Sequence, residues 1–152
     1  MVIIRRAVPA DELALLALTV RLGDFPVPPW RSVDEIAACD RPILLAGLHA
    51  PSADTAVIVA EVSGELLGFL FIVVRIDYFT HERFAYVEDL ALAKAAEGKG
   101  LGRRLMDEAE DWARTLGFRR IGLSVWSQND RARQFYERLG YQPETIHLLK
   151  EL

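Results

Sequence analysis

The sequence predicts a single mixed α/β domain spanning residues 1–152, and two observations carry that prediction. Apolar residues recur at helical spacing in the first third of the chain and give way to strand-like runs after about Thr55. From there strands and helices follow one another with no internal repeat, low-complexity tract or linker between them. At 152 residues, 51% of them hydrophobic and 26% charged, the chain can bury a core of its own and is unlike a disordered segment.

Each element has a local reason. Val2 to Arg5 is short and β-branched, a first strand. Leu13, Leu16, Ala17 and Val20 repeat at three and four residues, a helix. Pro26, Pro28 and Pro29 make Phe25 to Trp30 a loop. Ser32 stands three residues before Glu35, a capping-box spacing that starts a second helix, which Pro42 is expected to kink or end. Thr55 to Val62 and Leu66 to Ile76 are strands joined by a hairpin at Ser63-Gly64, and Phe84 to Ala93 is a third strong strand. Leu101, Leu105, Ala109, Trp112 and Leu116 lie on one helix face, which Gly117 closes. Ile121, Leu123 and Val125 alternate as a strand. Ala132, Phe135, Tyr136 and Leu139 form a short helix closed by Gly140, and Thr145 to Leu152 reads as a final strand.

Composition excludes several classes. The net charge is -4, and Arg103-Arg104 and Arg119-Arg120 are only pairs, so no nucleic-acid partner is expected. The apolar run Leu66 to Val74 is far short of the roughly 20 residues that cross a bilayer, and no membrane partner is expected. Cys39 is the only cysteine, so no internal disulfide forms. No start of the chain reads as a signal peptide, and a cytoplasmic protein is expected. No His, Cys or carboxylate cluster has metal-ligand spacing, so no metal is expected.

The chemistry concentrates where the third strong strand meets the next helix. Val87-Glu88-Asp89-Leu90-Ala91-Leu92 leads through Ala93 to Ala96 into Glu97-Gly98-Lys99-Gly100-Leu101-Gly102-Arg103. A helix start carries unpaired N–H groups and partial positive charge, and glycines let an anion reach them. Lys99, Arg103 and Arg104 add charge at the same end, so the loop reads as a pyrophosphate cradle. A plain strand-to-helix turn is the competing reading. Gly100 is followed by leucine, which excludes a P-loop, and one residue between the last two glycines excludes a dinucleotide fingerprint.

These motifs resemble the Gcn5-related N-acetyltransferase (GNAT) superfamily. Leu90-Ala91-Leu92 followed by Glu97-Gly98-Lys99-Gly100-Leu101-Gly102 is similar to its cofactor strand and loop. Leu123-Ser124-Val125, Asn129, Ala132 and Phe135-Tyr136-Glu137-Arg138-Leu139-Gly140-Tyr141 are similar to its second signature, and the likeness is strongest from Val87 to Tyr141. The resemblance implies a mostly antiparallel, twisted sheet of about seven strands, splayed at the cofactor site and flanked by about four helices. It implies an acetyl-coenzyme A-dependent N-acetyltransferase. Members of the family often pair as homodimers, although no feature of this chain establishes one.

By the same resemblance, backbone N–H groups of Leu90, Ala91 and Leu92 would bind the pantetheine arm. Residues Gly98, Lys99, Gly100, Leu101, Gly102 and Arg103 would bind the pyrophosphate. Asn129 would bond the pantetheine region or cap the following helix. Tyr136 matches the family's general acid, against a competing reading as a core aromatic. Glu88 is the candidate base, against a reading as a strand carboxylate in a salt bridge. Strand alternation places Glu88 and Asp89 on opposite faces, leaving Asp89 and His81 weaker candidates.

Glu97 departs from the pattern. The family places Arg or Gln there to hold phosphates, and a carboxylate would repel them, so Glu97→Arg is expected to tighten acetyl-coenzyme A binding. That departure motivates an alternative, a binding or sensing module of the same fold without turnover. The acceptor is expected to be a primary amine of a small, polyamine-like molecule or of a peptide.

Overall fold

The computed structural model of the protein describes all residues, 1–152. Five strands form one sheet in the order β1-β2-β3-β4-β5: β1 (Val2–Arg6), β2 (Thr55–Val62), β3 (Glu65–Ile76), β4 (Arg83–Leu92) and β5 (Ile121–Leu123). The first four pair antiparallel and β5 runs parallel to β4. Five α-helices flank it: α1 (Glu12–Thr19), α2 (Val33–Ala38), α3 (Arg41–His49), α4 (Leu101–Thr115) and α5 (Asp130–Arg138). No helix is long and apolar enough to cross a membrane.

Both sheet faces are covered, which explains why β2 and β3 read as continuous apolar runs. Ile58, Leu70, Ile72, Ala85 and Val87 pack with Leu105, Met106, Ala109 and Ala113 of α4. On the other face Val57, Val59, Phe69 and Phe71 pack with Leu15, Leu18, Leu44 and Leu48 of α1 and α3. Residues alternate between the two cores along each strand, so neither face is left for solvent. The β2–β3 turn is the expected hairpin, with Ser63 at φ 53° and Gly64 at φ 83°, both in the region that type I′ turns require.

Three expectations are corrected. The sheet has five strands, not about seven, because the chain from Gln142 onward forms no ladder. Thr145 to Leu152 is therefore not a strand; Ile146 and Leu148 are 83% and 86% exposed. A β-prone stretch without a pairing partner has nothing to stabilise extended pairing. The single second helix is two helices, α2 and α3, separated at Cys39-Asp40. Pro42 lies in the first turn of α3, where its missing N–H costs nothing, so it starts a helix rather than ending one.

The third correction concerns β4 and positions the site. Phe71 pairs with Asp89 and Ile72 with Val87, which leaves Glu88 as an extra residue, a β-bulge. Opposed residues of a ladder share a face, so Asp89 lies with Phe71 toward α1 and α3. Glu88 bonds Arg75, whose guanidinium lies 3.6 Å from the ring centroid of Tyr86, and Tyr86 pairs with Val73 on that same face. Glu88 and Asp89 thus point the same way. Simple alternation does not survive a bulge.

Candidate active site

The bulge coincides with the end of pairing on the other edge of β4. The last residue pairs with β5 are Ala85 with Ile121, Tyr86 with Gly122 and Val87 with Leu123, so Glu88 to Leu92 have no strand beside them there. Side chains of Leu90 and Leu92 pack toward the α4 core and Ala91 is buried in the other. The splayed strand is present. It opens at Glu88, after three residues paired with β5, and no strand lies along its edge from there.

The chain then enters the glycine loop. Gly98 and Gly100 sit at φ 73° and 79°, a conformation that side-chain-bearing residues adopt only at a cost, and a Cβ at either would meet nothing within 4 Å. Gly100 precedes the first residue of α4, and no side chain caps that helix start. The N–H groups from Gly98 to Arg103 find no acceptor within the chain. A helix start without a cap, flanked by open glycines, leaves donors and a positive dipole end for an anion. Gly102 has a different job: a Cβ there would stand 3.3 Å from Phe135, so it lets α5 close on α4. Leu101 is buried and anchors the helix start.

Lys99 and Arg103 are exposed, Arg103 with Asp107 only at 3.9 Å. Glu97 is not the free carboxylate that the sequence suggests. It forms ion pairs with Arg21, from the 3₁₀ turn after α1, and with Arg131 of α5. Burial alone would raise its pKa, but Arg131 and Arg21 outweigh that and hold it below the usual carboxylate range. Arg21 also donates from Nε to the Leu92 carbonyl at 3.1 Å, tying the free end of β4 to the loop. Two arginines thus stand beside the loop although the position itself carries a glutamate.

Asn129 is the cap of α5: its Oδ1 accepts from the Ala132 N–H at 3.2 Å. Tyr136 is half-buried between Phe135 and Tyr141, with ring centroids 5.1 and 5.9 Å away, and its hydroxyl has no hydrogen-bond partner in the chain. Burial, then the nearby Asp89 charge, push its pKa upward, so the phenol stays protonated and able to donate. Glu88 is held by Arg75 through Nε at 3.0 Å and Nη2 at 2.6 Å. His81 lies in the β3–β4 turn at φ 58°, exposed and apart from these groups.

The groups missed by sequence reasoning are Arg21, Arg131 and Asp40. Arg21 and Glu97 are 76 residues apart, and no spacing rule links them. Asp40 joins α2 to α3, and after burial its charge is the next cause that raises the Asp89 pKa.

A mixed sheet split beside a bulged strand, with an uncapped glycine-flanked helix at the split, defines the class: an α/β domain of the acetyltransferase fold. The chain belongs to the acetyltransferase (GNAT) family, whose family model matches residues 19–141. It is 28% identical over 142 residues to the uncharacterized N-acetyltransferase YhfO of Bacillus subtilis, covering 93% of this chain and 91% of that one. It is 33% identical over 96 residues to the streptothricin acetyltransferase of Streptomyces lavendulae, covering 62% of this chain and 49% of that one. Among solved structures, AAC(6')-Iy in complex with a bisubstrate analog superposes with a TM-score of 0.74 at 17% identity, covering 100% of this chain and 99% of that one. A transcriptional regulator from Bacillus halodurans C-125 superposes at 0.76 with 22% identity over the whole of both chains. At such identities the structural likeness establishes the fold alone.

Proposed function

We propose that this chain transfers the acetyl group of acetyl-coenzyme A to a primary amine. The observation that carries the reading is the pairing of two free backbone surfaces. Unsatisfied N–H groups from Gly98 to Arg103 adjoin a strand, Glu88 to Leu92, whose edge is unpaired. One suits a diphosphate and the other an extended amide-bearing arm. Acetyl-coenzyme A, as the donor, supplies an activated acetyl thioester to this site.

The chain's own groups supply the rest. The N–H groups of Gly98 to Arg103 hold the diphosphate, with Lys99 and Arg103 adding charge and Glu97 keeping Arg21 and Arg131 alongside. The free edge at Leu90, Ala91 and Leu92 orients the pantetheine arm. Asn129 holds the start of α5 and so the placement of Tyr136. Tyr136, protonated and without an internal partner, donates a proton to the departing sulfur. Glu88, fixed by Arg75 at the bulge, receives the ammonium of the acceptor and serves as base, directly or through water. The two arginines around Glu97 remove the charge conflict that favours a non-catalytic binding module.

The acceptor is a small cationic amine, polyamine-like in character, which the carboxylates at the bulge and the excess of 22 acidic over 18 basic residues favour. The test is thiol release from acetyl-coenzyme A in the presence of polyamines, an aminoglycoside, amino-acid amides and short peptides. Turnover with at least one of them is expected. Release no faster than without amine, for every compound tried, would remove the transferase reading and leave the binding module.

A further inference from the structure

The Arg21 guanidinium ties together segments that meet at the open end of β4. Its Nε donates to the Leu92 carbonyl at 3.1 Å, its Nη2 to Glu97 of the glycine loop, and its Nη1 to Asp24. The next N–H after that carbonyl, on Ala93, donates to the Leu67 carbonyl of β3 at 2.8 Å. Across a planar trans peptide a carbonyl points opposite to the N–H that follows it. The Leu92 carbonyl under Arg21 therefore faces away from β3, on the edge of β4 that has no strand beside it. A little further on, the Phe25 ring packs on the Trp126 ring, with centroids 5.8 Å apart. Trp126 follows Leu123, the end of β5, and so stands on the other side of the split. The chain from Arg21 to Phe25 crosses from one side to the other. We infer that residues 21–25 form a strap over the split, fastened to the coenzyme loop by Arg21, and that the closed strap slows release of the coenzyme. The inference rests on the acetyl-transfer reading for the identity of the ligand and adds a positioning residue to it.

The dimensions agree with a strap. An extended arm inserted beside β4 would hold the two strands about 10 Å apart, twice the usual spacing, and four residues reach at most about 14 Å. The middle of the segment is pinned too. Gly23 is buried, and a Cβ there would stand 2.7 Å from the Val33 carbonyl oxygen of α2. The Asp24 N–H donates to the Arg21 carbonyl at 3.2 Å and the Phe25 N–H to the Gly23 carbonyl at 3.0 Å, so the segment holds its own shape. Its charges balance locally. Arg21 meets Asp24 and Glu97, and Arg131 of α5 holds Glu97 from the other direction, two charges of each sign. The Arg21 and Glu97 side chains are each only 22% exposed, so solvent screens this pair less than an open surface pair. Arginine suits the position because its planar fork serves several acceptors at once, whereas lysine offers a single nitrogen. An arm lying along the free edge of β4 would be covered by the strap and would leave only when Arg21 or Phe25 lets go. Opening of such a cover commonly limits release.

The experiment makes two measurements on the full chain. Hydrogen exchange read by mass spectrometry, with no substrate present, follows the peptide spanning residues 20–30, where the Asp24 and Phe25 amides report on the strap. Arg21→Lys keeps the charge but loses the fork, and Phe25→Ala loosens the other end without touching an ion pair. Each is expected to speed exchange in that peptide by about tenfold or more, with β2, β3 and α4 unchanged. The second measurement is stopped-flow displacement of bound coenzyme A. Each variant is expected to raise the dissociation rate about tenfold with an association rate within about twofold of wild type. The double variant should add little to either single one, because both open the same strap. Phe25 carries no charge, so its effect separates a strap from a simple charge contact at the diphosphate. Should Phe25→Ala leave exchange and dissociation unmoved, the strap falls while acetyl transfer stands. Should Arg21→Lys leave both unmoved, Arg21 is not the fastener and the inference falls in the same way. Should the wild-type protein not bind coenzyme A, the transferase reading falls first and takes the inference with it. If Arg21→Lys does not fold, Phe25→Ala decides alone.

Discussion

At the scale of single residues, two groups of the candidate site have surroundings that oppose their ordinary ionisation. Asp89 has a folded pKa raised to about 8 from 3.8, so the folded state holds its proton more tightly than the unfolded chain. The stability that this contributes is complete below about pH 4 and is lost as pH rises through about 8. Asp89→Asn removes that dependence. Relative to wild type, the variant is expected to gain stability between pH 5 and pH 9, read from urea midpoints at each pH; a constant difference would contradict the raised affinity. Tyr136 is raised for the same first reason, burial, and is protonated throughout that range. Tyr136→Phe keeps the ring packing against Phe135 and Tyr141 and deletes only the hydroxyl. It is expected to lower kcat by about 100-fold or more with coenzyme A affinity nearly unchanged, as measured by calorimetry. Equal losses in both would mean that the residue is packing alone.

At the scale of elements, the decisive feature is one extra residue in β4. Without Glu88, Val87 and Asp89 would be consecutive partners of Ile72 and Phe71, and the ladder would continue with every side chain on its present face. Deleting Glu88 is therefore expected to preserve the fold by circular dichroism yet to straighten β4 and reduce coenzyme A affinity by about tenfold, roughly 1.4 kcal/mol. Unchanged affinity would show that the splay does not depend on the bulge. The α4 start is a second element-level device. Its glycines were legible because Gly98, Gly100 and Gly102 alternate, but the sequence assigns them one role whereas the structure divides the work. Gly98 and Gly100 provide the left-handed backbone and Gly102 provides room for Phe135. Glu97 shows a related limit. A charge seen without its partners looks unpaired, and its partners come from the turn after α1 and from α5.

At the scale of the whole molecule, a ligand selective for the folded state must raise its stability. Coenzyme A at about 100 times its Kd should add about 2.7 kcal/mol. For a domain of this size that is about 5 to 10 °C in Tm, measurable by scanning calorimetry; no shift at saturating concentration would refute the binding site. The tail is at the opposite extreme. Residues 142–152 are exposed and form no helix or strand, so removing residues 145–152 is expected to change unfolding free energy by less than about 0.5 kcal/mol. A larger loss would mean that the tail packs somewhere in solution.

The sequence by itself determined what is local or periodic. That includes the hairpin at Ser63-Gly64, the α4 face at Leu101, Leu105 and Ala109, and the glycine loop that marks the family. These follow from backbone conformation and from residues a few positions apart, which a linear reading captures. Only the tertiary structure decided that Glu88 is a bulge, that Asp89 therefore shares its face and feels the Asp40 charge, and that Arg21 and Arg131 close around Glu97. Each of these is set by which strand or helix lies alongside. Register and charge pairing are properties of two segments at once, so one segment's residues do not encode them alone.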